Sequence, residues 1–170
     1  KAEIINNEWV ISLQDGKKIK SKVLINASGP WINDTLNKNI KIKSKNKIRL
    51  VKGSHIITKK LYKEDVAFTF QNTDKRIIFV IPYKKKFSLI GTTEVEVKSP
   101  ENNGISNQEI QYLIKSVNNY LKKQISKKDI VDTYSGIRPL IEDFKEASKV
   151  TRDYVFDLHI VKKLPLLNIY

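Results

Sequence analysis

Short apolar segments separated by turn residues make up most of this sequence, and this pattern favours a fold built mainly from β-strands. The alternating residues 9–13, the turn dipeptide Asp15-Gly16 and residues 17–26 predict a hairpin over 8–26. Pro30 suits the first turn of a short helix that runs through about residue 37. Further strands are predicted at 48–52, 54–58, 66–71, 76–82, 87–94, 130–137, 151–160 and 165–169.

One stretch has the periodicity of a long helix. Ser106 and Glu109 have the spacing of a capping box, in which each side chain binds the other residue's backbone N–H. Apolar residues then recur on one face at Ile110, Leu113, Ile114, Val117 and Leu121. The sequence therefore predicts an α+β fold: a largely antiparallel sheet, one long helix and a short βα unit at the start.

The charge of the chain favours a polyanion partner only at first sight. There are 32 basic against 18 acidic residues, a net charge of +14, but 28 of the basic residues are lysine. Lysine, isoleucine and asparagine share A/T-rich codons, so base composition explains the excess. The lysines are spread along the chain, and Phe68, Phe70, Phe79 and Phe87 lie in strand patterns that suit a core. A basic module that binds nucleic acid or an anionic surface therefore remains only as an alternative to an enzymatic function. We expect no nucleic-acid partner.

Several classes are excluded by what the 170 residues lack. There is no cysteine, which removes disulfides and thiolate chemistry, and two histidines without a neighbouring carboxylate cluster predict no metal site. No apolar run reaches the roughly 20 residues of a membrane-spanning helix. Lys1 leads almost directly into strand-like sequence and the chain stops inside an apolar stretch, so we expect an internal piece of a longer protein.

A first candidate site follows the apolar strand that ends at Asn26. Ala27, Ser28 and Gly29 are small residues between this strand and a helix start, a geometry in which backbone N–H groups can approach a phosphate. An ordinary strand-to-helix turn has the same pattern, and that interpretation stays open. No Gly-x-Gly-x-x-Gly motif accompanies it, so a complete dinucleotide site is not predicted.

His55 is the second candidate. It follows Gly53 and Ser54 between two apolar stretches, and an imidazole in a strand can accept a proton near neutral pH. A hydrogen-bonded structural histidine fits the same spacing. His159 has no comparable context, and we expect it to be structural or exposed.

The third candidate is a pair of arginines. Arg138 is predicted at a strand end stopped by Pro139, and Arg152 at the start of the next strand. Both guanidinium groups could bind one anion, because arginine can donate two parallel hydrogen bonds to a phosphate or carboxylate. From spacing alone, the interpretation that Arg152 forms an ion pair with a neighbouring carboxylate is equally well supported.

Taken in order, several segments resemble the FAD-dependent, quinone-linked glycerol-3-phosphate dehydrogenases. The matching segments are VLINASGPW (23–31), RLVKGSHII (49–57), RIIFVIPY (76–83), FSLIGTTE (87–94), TYSGIRPL (133–140) and TRDY (151–154). The resemblance covers about residues 5–170. Its GxRP element is shared with the wider D-amino-acid-oxidase-like flavoenzymes and is less specific.

The resemblance implies a domain organisation and a cofactor. Residues 1–46 correspond to a partial FAD-binding segment, and residues 47–170 to the substrate-binding cap, which runs back toward the FAD domain at its end. The Gly-rich FAD motif and the Gly-Gly-Lys flavin segment of the family would lie outside this chain. We therefore expect FAD in the intact protein, and neither retained FAD nor activity in the isolated chain.

The resemblance also assigns roles to the candidate residues. Asn26, Ala27, Ser28 and Gly29 correspond to a flavin-contacting turn, His55 to the active-site histidine, and Arg138 and Arg152 to the arginines that hold the substrate. The implied reaction oxidises sn-glycerol 3-phosphate to dihydroxyacetone phosphate, with electrons passed through FAD to a quinone. The implied location is cytoplasmic, either free or peripheral on the inner membrane. An amine or 2-hydroxy-acid oxidase of the same superfamily is the alternative.

Overall fold

The computed structural model describes residues 1–101, 103–142 and 153–170. These residues form two compact units. The first contains Lys1–Leu50 and Arg138–Tyr170, and the second contains Val51–Ile137. The predicted division at residue 46, with a FAD-binding segment before it and a cap after it, stays a prediction about the longer protein.

Two three-stranded sheets form the first unit. One is antiparallel, with the order β1-β2-β3: β1 is Ala2–Ile5, β2 is Glu8–Ser12 and β3 is Lys18–Ser21. The other has the order β11-β12-β4: β4 is Leu24–Asn26, β11 is Phe156–Val161 and β12 is Leu164–Ile169. β12 is antiparallel to β11 but parallel to β4, so the carboxyl ends of β12 and β4 lie at the same edge.

Helical turns follow β4 directly. A 3-10 turn at Gly29–Trp31 has Pro30 in its first turn, as predicted, and leads into α1 at Ile32–Asp34 and a π-helical turn at Thr35–Ile40. Leu36 and Ile40 from these turns pack against Trp9 and Leu166 in the core of the unit. This packing fixes the turn at the carboxyl end of β4.

A six-stranded sheet and the long helix dominate the rest of the fold. Its strands are β5 (Ile48–Lys59), β6 (Phe68–Gln71), β7 (Ile77–Tyr83), β8 (Phe87–Gly91), β9 (Val95–Val97) and β10 (Ile130–Ile141). The order is β10-β5-β8-β7-β6, and β9 also pairs with β5. The helix α2 is Asn107–Asn118, and a 3-10 turn at Lys127–Asp129 precedes β10.

Helix α2 covers one face of this sheet. Leu113 and Val117 are fully buried on the helix face that the periodicity predicted, and they pack against buried residues of β5, β7 and β8. The capping box is confirmed: the Ser106 Oγ accepts from the Glu109 N–H, and Glu109 Oε2 accepts from the Ser106 N–H at 2.8 Å. The largely antiparallel sheets and the long helix packed on one of them confirm the predicted α+β fold.

Several predicted strands differ from the structure. Residues 17–26 form two strands in different sheets, because Ser21 Oγ binds the backbone of Val23 and turns the chain between them. Residues 48–58 form one continuous strand, so Gly53 does not interrupt it. The strand predicted at 151–160 is observed from Phe156; residues 151 and 152 lie outside the described residues.

The predicted strand end at Pro139 is wrong. β10 continues through Pro139 to Ile141. It lies at the edge of the sheet in the order β10-β5-β8-β7-β6. Proline is tolerated there because one side of an edge strand needs no N–H donor for the ladder. Arg138 is therefore a residue within a strand.

Candidate active site

The imidazole of His55 is held between a tyrosine ring and a glycine. Its ring stacks on Tyr134 with a centroid distance of 4.6 Å and an interplanar angle of 2°. Gly91 pairs directly with His55 across β5 and β8, and a Cβ atom added at Gly91 would lie 2.1 Å from His55 Cδ2. Only glycine leaves room for the ring here, so Gly91 and Tyr134 together fix the plane of the imidazole.

His55 lies on the sheet face opposite α2. Its neighbour Ile56 packs against α2, and adjacent residues of a strand point to opposite faces. On the His55 face, Phe79 pairs with Gly91, and the side chains of Ile77, Phe79 and Ile81 are exposed by 37–47%. The half-buried imidazole thus lies on a sheet face with exposed apolar side chains, an environment that suits proton transfer to or from a small bound molecule.

A buried carboxylate lies on the other face of the same sheet region. Glu109, 5% exposed, accepts hydrogen bonds from Lys52 Nζ, Ser54 Oγ and Thr93 Oγ1, each at 2.8 Å. Lys52, 6% exposed, also donates to the carbonyl oxygen of Gly104. Together with the Ser106 N–H, these donors compensate a charge that burial alone would make costly.

These hydrogen bonds determine the protonation state of Glu109. Burial opposes ionisation and would raise the pKa, but the Lys52 ammonium and the donors of Ser106 and Ser54 outweigh it. The pKa of Glu109 is lowered from 4.5 to about 2. Glu109 therefore stays ionised over the whole neutral and mildly acidic range.

We expect this low pKa to contribute to acid sensitivity. A carboxylate whose pKa is lower in the folded state stabilises the fold fully above its unfolded pKa of 4.5, and this contribution is lost as the pH falls toward about 2. Urea unfolding of the full-length protein measures this contribution. The free energy of unfolding of the wild type should exceed that of Glu109→Gln by about 3 kcal/mol less at pH 2 than at pH 6. Parallel pH dependences for the two proteins would contradict the assignment.

Arg138 lies in β10 and belongs to the first unit, whereas His55 belongs to the second. The guanidinium of Arg138 is partly buried. Its Nη1 is inaccessible to solvent and has no hydrogen-bond partner among residues 1–101, 103–142 and 153–170. A buried guanidinium nitrogen with an unused donor is suited to an anion. Arg152, the predicted second arginine, lies outside the described residues, so the pairing of the two stays a prediction.

The predicted turn after β4 is a hydrogen-bonded polar cluster. Asn26 is buried, and its Nδ2 donates to the Ile32 carbonyl and to Asn168 Oδ1. Ser28 Oγ donates to Asn26 Oδ1 at 2.7 Å and also contacts Thr35 Oγ1. Gly29 has φ +55°, a conformation that favours glycine. Asn26, Ala27 and Ser28 line a cavity of about 570 Å³.

This turn can hold part of a polar cofactor. Asn26 and Asn168 meet where β4 and β12 run parallel, and Nδ2 of Asn168 is buried without a hydrogen-bond partner in the described part of the chain. An unused buried donor beside a glycine turn and a cavity fits a ligand rich in hydrogen-bond acceptors, such as a dinucleotide. The residues present therefore fit the expected FAD, and the contact of Asn26, Ala27, Ser28 and Gly29 with the flavin stays a prediction.

Sequence reasoning did not single out several residues of this site. Gly91 and Tyr134 both lie in segments that carried the resemblance, but their contact with His55 depends on strand pairing. Glu109 was recognised only as a helix cap, and its link to Lys52 and Thr93 was not expected. The signal available was a charged residue at an inward position of an apolar strand, Lys52, which requires a buried partner.

Three further observations concern the described residues outside these sites. Among the described residues, no group of three or more His, Cys, Asp or Glu side chains could hold a metal ion. His159 Nε2 lies 2.7 Å from Asp157 Oδ2, a local contact on β11. Within the same described ranges, the helices are too short or too polar to cross a bilayer.

Residues 1–158 match the family described as FAD dependent oxidoreductase, and the chain belongs to this family. That membership confirms the expected flavoenzyme class.

Individual relatives refine the comparison. The chain is 42% identical to the aerobic glycerol-3-phosphate dehydrogenase of Escherichia coli (strain K12) and 38% identical to the D-erythritol 1-phosphate dehydrogenase of Brucella abortus (strain 2308). Each match covers 97% of this chain and 34% of the relative. The glycerol-3-phosphate dehydrogenase from Bacillus halodurans, solved with FAD, has a TM-score of 0.75 at 22% identity over 99% of this chain and 34% of that one. The chain thus spans about a third of the length of these relatives.

Proposed function

We propose that the full-length protein oxidises sn-glycerol 3-phosphate to dihydroxyacetone phosphate with FAD as cofactor and a quinone as the electron acceptor. The observation that carries this proposal is the 42% identity to the E. coli aerobic glycerol-3-phosphate dehydrogenase, which extends over 97% of the chain. The geometry around His55 supports it, because oxidation of an alcohol requires a group that accepts the hydroxyl proton.

His55 is the proposed proton acceptor. Removal of hydrogen from C2 of glycerol 3-phosphate yields a carbonyl only if the C2 hydroxyl proton also leaves, and an imidazole can take this proton at neutral pH. Tyr134 and Gly91 hold the ring in one plane, so the accepting nitrogen has a fixed direction. A fixed acceptor lowers the entropic cost of reaching the transition state.

Arg138 and Arg152 are the proposed ligands of the substrate phosphate. The inaccessible Nη1 of Arg138, unpaired among the residues that the structure describes, supports this role. A guanidinium can donate two parallel hydrogen bonds to one phosphate, which fixes both the position and the orientation of the substrate. Orientation then determines whether C2 faces the cofactor.

FAD, when bound, supplies the ring that accepts the hydride from C2. Asn26, Ala27, Ser28 and Gly29 would hold part of it at the carboxyl end of β4. The quinone acceptor and a peripheral position on the cytoplasmic membrane belong to the proposal as well, since a quinone is reached most directly from the membrane surface.

Anaerobic flavin reduction in the full-length protein tests the proposal. Glycerol 3-phosphate should bleach the flavin absorbance fastest, D-erythritol 1-phosphate more slowly, and glycine or lactate not measurably. The arginines are expected to select for a phosphate. The Brucella relative is named a D-erythritol 1-phosphate dehydrogenase, so this longer phosphorylated polyol is the substrate to compare. Faster bleaching by glycine or lactate would favour an amine or 2-hydroxy-acid oxidase instead. Transfer of the electrons to a soluble quinone analogue then tests the acceptor.

A further inference from the structure

Glu109 is connected to all three backbone segments that surround the His55 imidazole. Ser54 precedes His55 in β5, and its hydroxyl donates to Glu109 Oε1. Thr93 follows Gly91 by two residues, and its hydroxyl donates to the same oxygen. The carboxylate therefore contacts two of these segments directly, from the face of the sheet that α2 covers.

The third segment is joined through Ser54. Ser54 Oγ lies 2.8 Å from Ser135 Oγ, and Ser135 is the neighbour of Tyr134 in β10. The backbone of Ser54 adds two more contacts: its N–H donates to Thr93 Oγ1 at 3.0 Å, and its carbonyl accepts from the Thr93 N–H at 3.2 Å. Each residue that shapes the imidazole site is thus one or two positions from a residue held by this network.

Strand geometry converts these contacts into control of the opposite face. Adjacent side chains of a strand point to opposite faces, so fixing Ser54 and Ser135 on one face fixes His55 and Tyr134 on the other. Glu109, Ser54 and Thr93 are buried, and the hydrogen bonds among them are therefore little weakened by competition with water. Through these directional hydrogen bonds, one buried carboxylate restrains the positions of Ser54 and Thr93.

We propose that Glu109 is a positioning residue for His55: from the α2 face, it fixes the separation of the segments that carry His55, Gly91 and Tyr134, and so maintains the stack of the imidazole on the tyrosine. Lys52 provides the counter-charge that allows Glu109 to be ionised in this buried place. The kinetic consequence of this inference rests on the proposed function, whereas its structural consequence does not.

The structural test measures the stack itself in the full-length protein. The ring current of Tyr134 shifts the NMR resonances of the ring protons of a histidine stacked on it, so ¹³C-labelled histidine reports the geometry of the stack. The His55 signal is identified by its loss in His55→Ala. Glu109→Gln, which keeps the shape but removes the charge, should move the His55 signal toward that of an unstacked histidine. Asp129→Asn is the matched control, because Asp129 forms a second capping box, with Ser126, and should leave the His55 signal unchanged.

A second pair of variants keeps the test decisive if Glu109→Gln does not fold. Thr93→Val removes the hydroxyl that joins Glu109 to Ser54, and Thr93→Ser retains it. Thr93→Val should shift the His55 signal, and Thr93→Ser should keep the signal at its wild-type position. A folded Thr93→Val protein with an unchanged His55 signal would overturn the proposal.

Flavin reduction by glycerol 3-phosphate provides the kinetic readout. With His55 less well positioned, the rate at saturating substrate should fall about fivefold while the half-saturating concentration changes little, because positioning acts on the reacting geometry. A shifted His55 signal with an unchanged rate would support the positioning role and count against His55 as the proton acceptor. The two readouts thereby separate failure of this inference from failure of the proposed function.

Discussion

Replacement of His55 by alanine in the full-length protein is expected to slow flavin reduction by glycerol 3-phosphate about 100-fold, while the flavin absorbance of the resting protein stays unchanged. The loss reflects removal of a positioned proton acceptor, a contribution that is typically 100-fold or more. The cofactor is expected to remain because the substitution leaves the proposed FAD-contacting turn at residues 26–29 unchanged. Rapid mixing with substrate under anaerobic conditions measures the rate directly.

Two variants distinguish a chemical role of His55 from a structural one. His159→Ala removes the other histidine, which contacts Asp157 in β11, and should leave the rate unchanged. Gly91→Ala keeps the imidazole but places a methyl group where its ring now lies, since an added Cβ would be 2.1 Å from Cδ2. It should therefore slow the reaction although the histidine is present. A normal rate in His55→Ala would remove His55 from the proposed mechanism.

The sequence predicted elements well where the determining contacts are local. The capping box of Ser106 and Glu109 depends on residues three positions apart, and the structure contains it as predicted. Helix α2 has the predicted buried face because its periodicity is a property of one segment. The turn at Asp15-Gly16 likewise has the positive φ at Gly16 that its dipeptide suggests.

Where the deciding contact is distant in the chain, local rules were insufficient. Pro139 signals a strand end by local preference, but β10 is an edge strand, and edge position follows from the order of the whole sheet. Residues 18–21 and 24–26 looked like one strand, yet they pair with different partners. Strand partners are not encoded within the strand itself.

The candidate site shows the same division. His55 could be singled out from its neighbours Gly53 and Ser54, but the orientation of its ring depends on Gly91 and Tyr134 from other strands. Glu109 was identified as a cap because that role is local. Its bonds to Lys52, Ser54 and Thr93 arise only when α2 packs on β5. The roles that depend on neighbours in the chain were therefore predictable, and the contacts between distant segments were not.

Arg138→Lys in the full-length protein is expected to lower kcat/KM for glycerol 3-phosphate at least tenfold, a loss of about 1.4 kcal/mol. Lysine keeps the positive charge but cannot donate two parallel hydrogen bonds to one phosphate, so charge alone should not restore the rate. Steady-state kinetics with a soluble quinone analogue measure the effect. Arg76→Lys is the matched control and should leave kcat/KM unchanged, because Arg76 pairs with Asp74 and lies over the Tyr112 ring.

A substrate without the phosphate shows whether the loss at Arg138 arises from phosphate recognition. The phosphate-binding role predicts that Arg138→Lys lowers kcat/KM for glycerol 3-phosphate but hardly changes the slow reaction with glycerol, so the preference between the two substrates narrows by the same factor. If Arg138 instead stabilises β10, both reactions should fall together, and thermal unfolding should shift to lower temperature. Unchanged kinetics with glycerol 3-phosphate would contradict the assignment. Nη1 of Arg138 is buried and has no hydrogen-bond partner among the residues that the structure describes, which is costly unless a ligand uses it. The wild-type protein should therefore also gain thermal stability from inorganic phosphate, and Arg138→Lys should gain less.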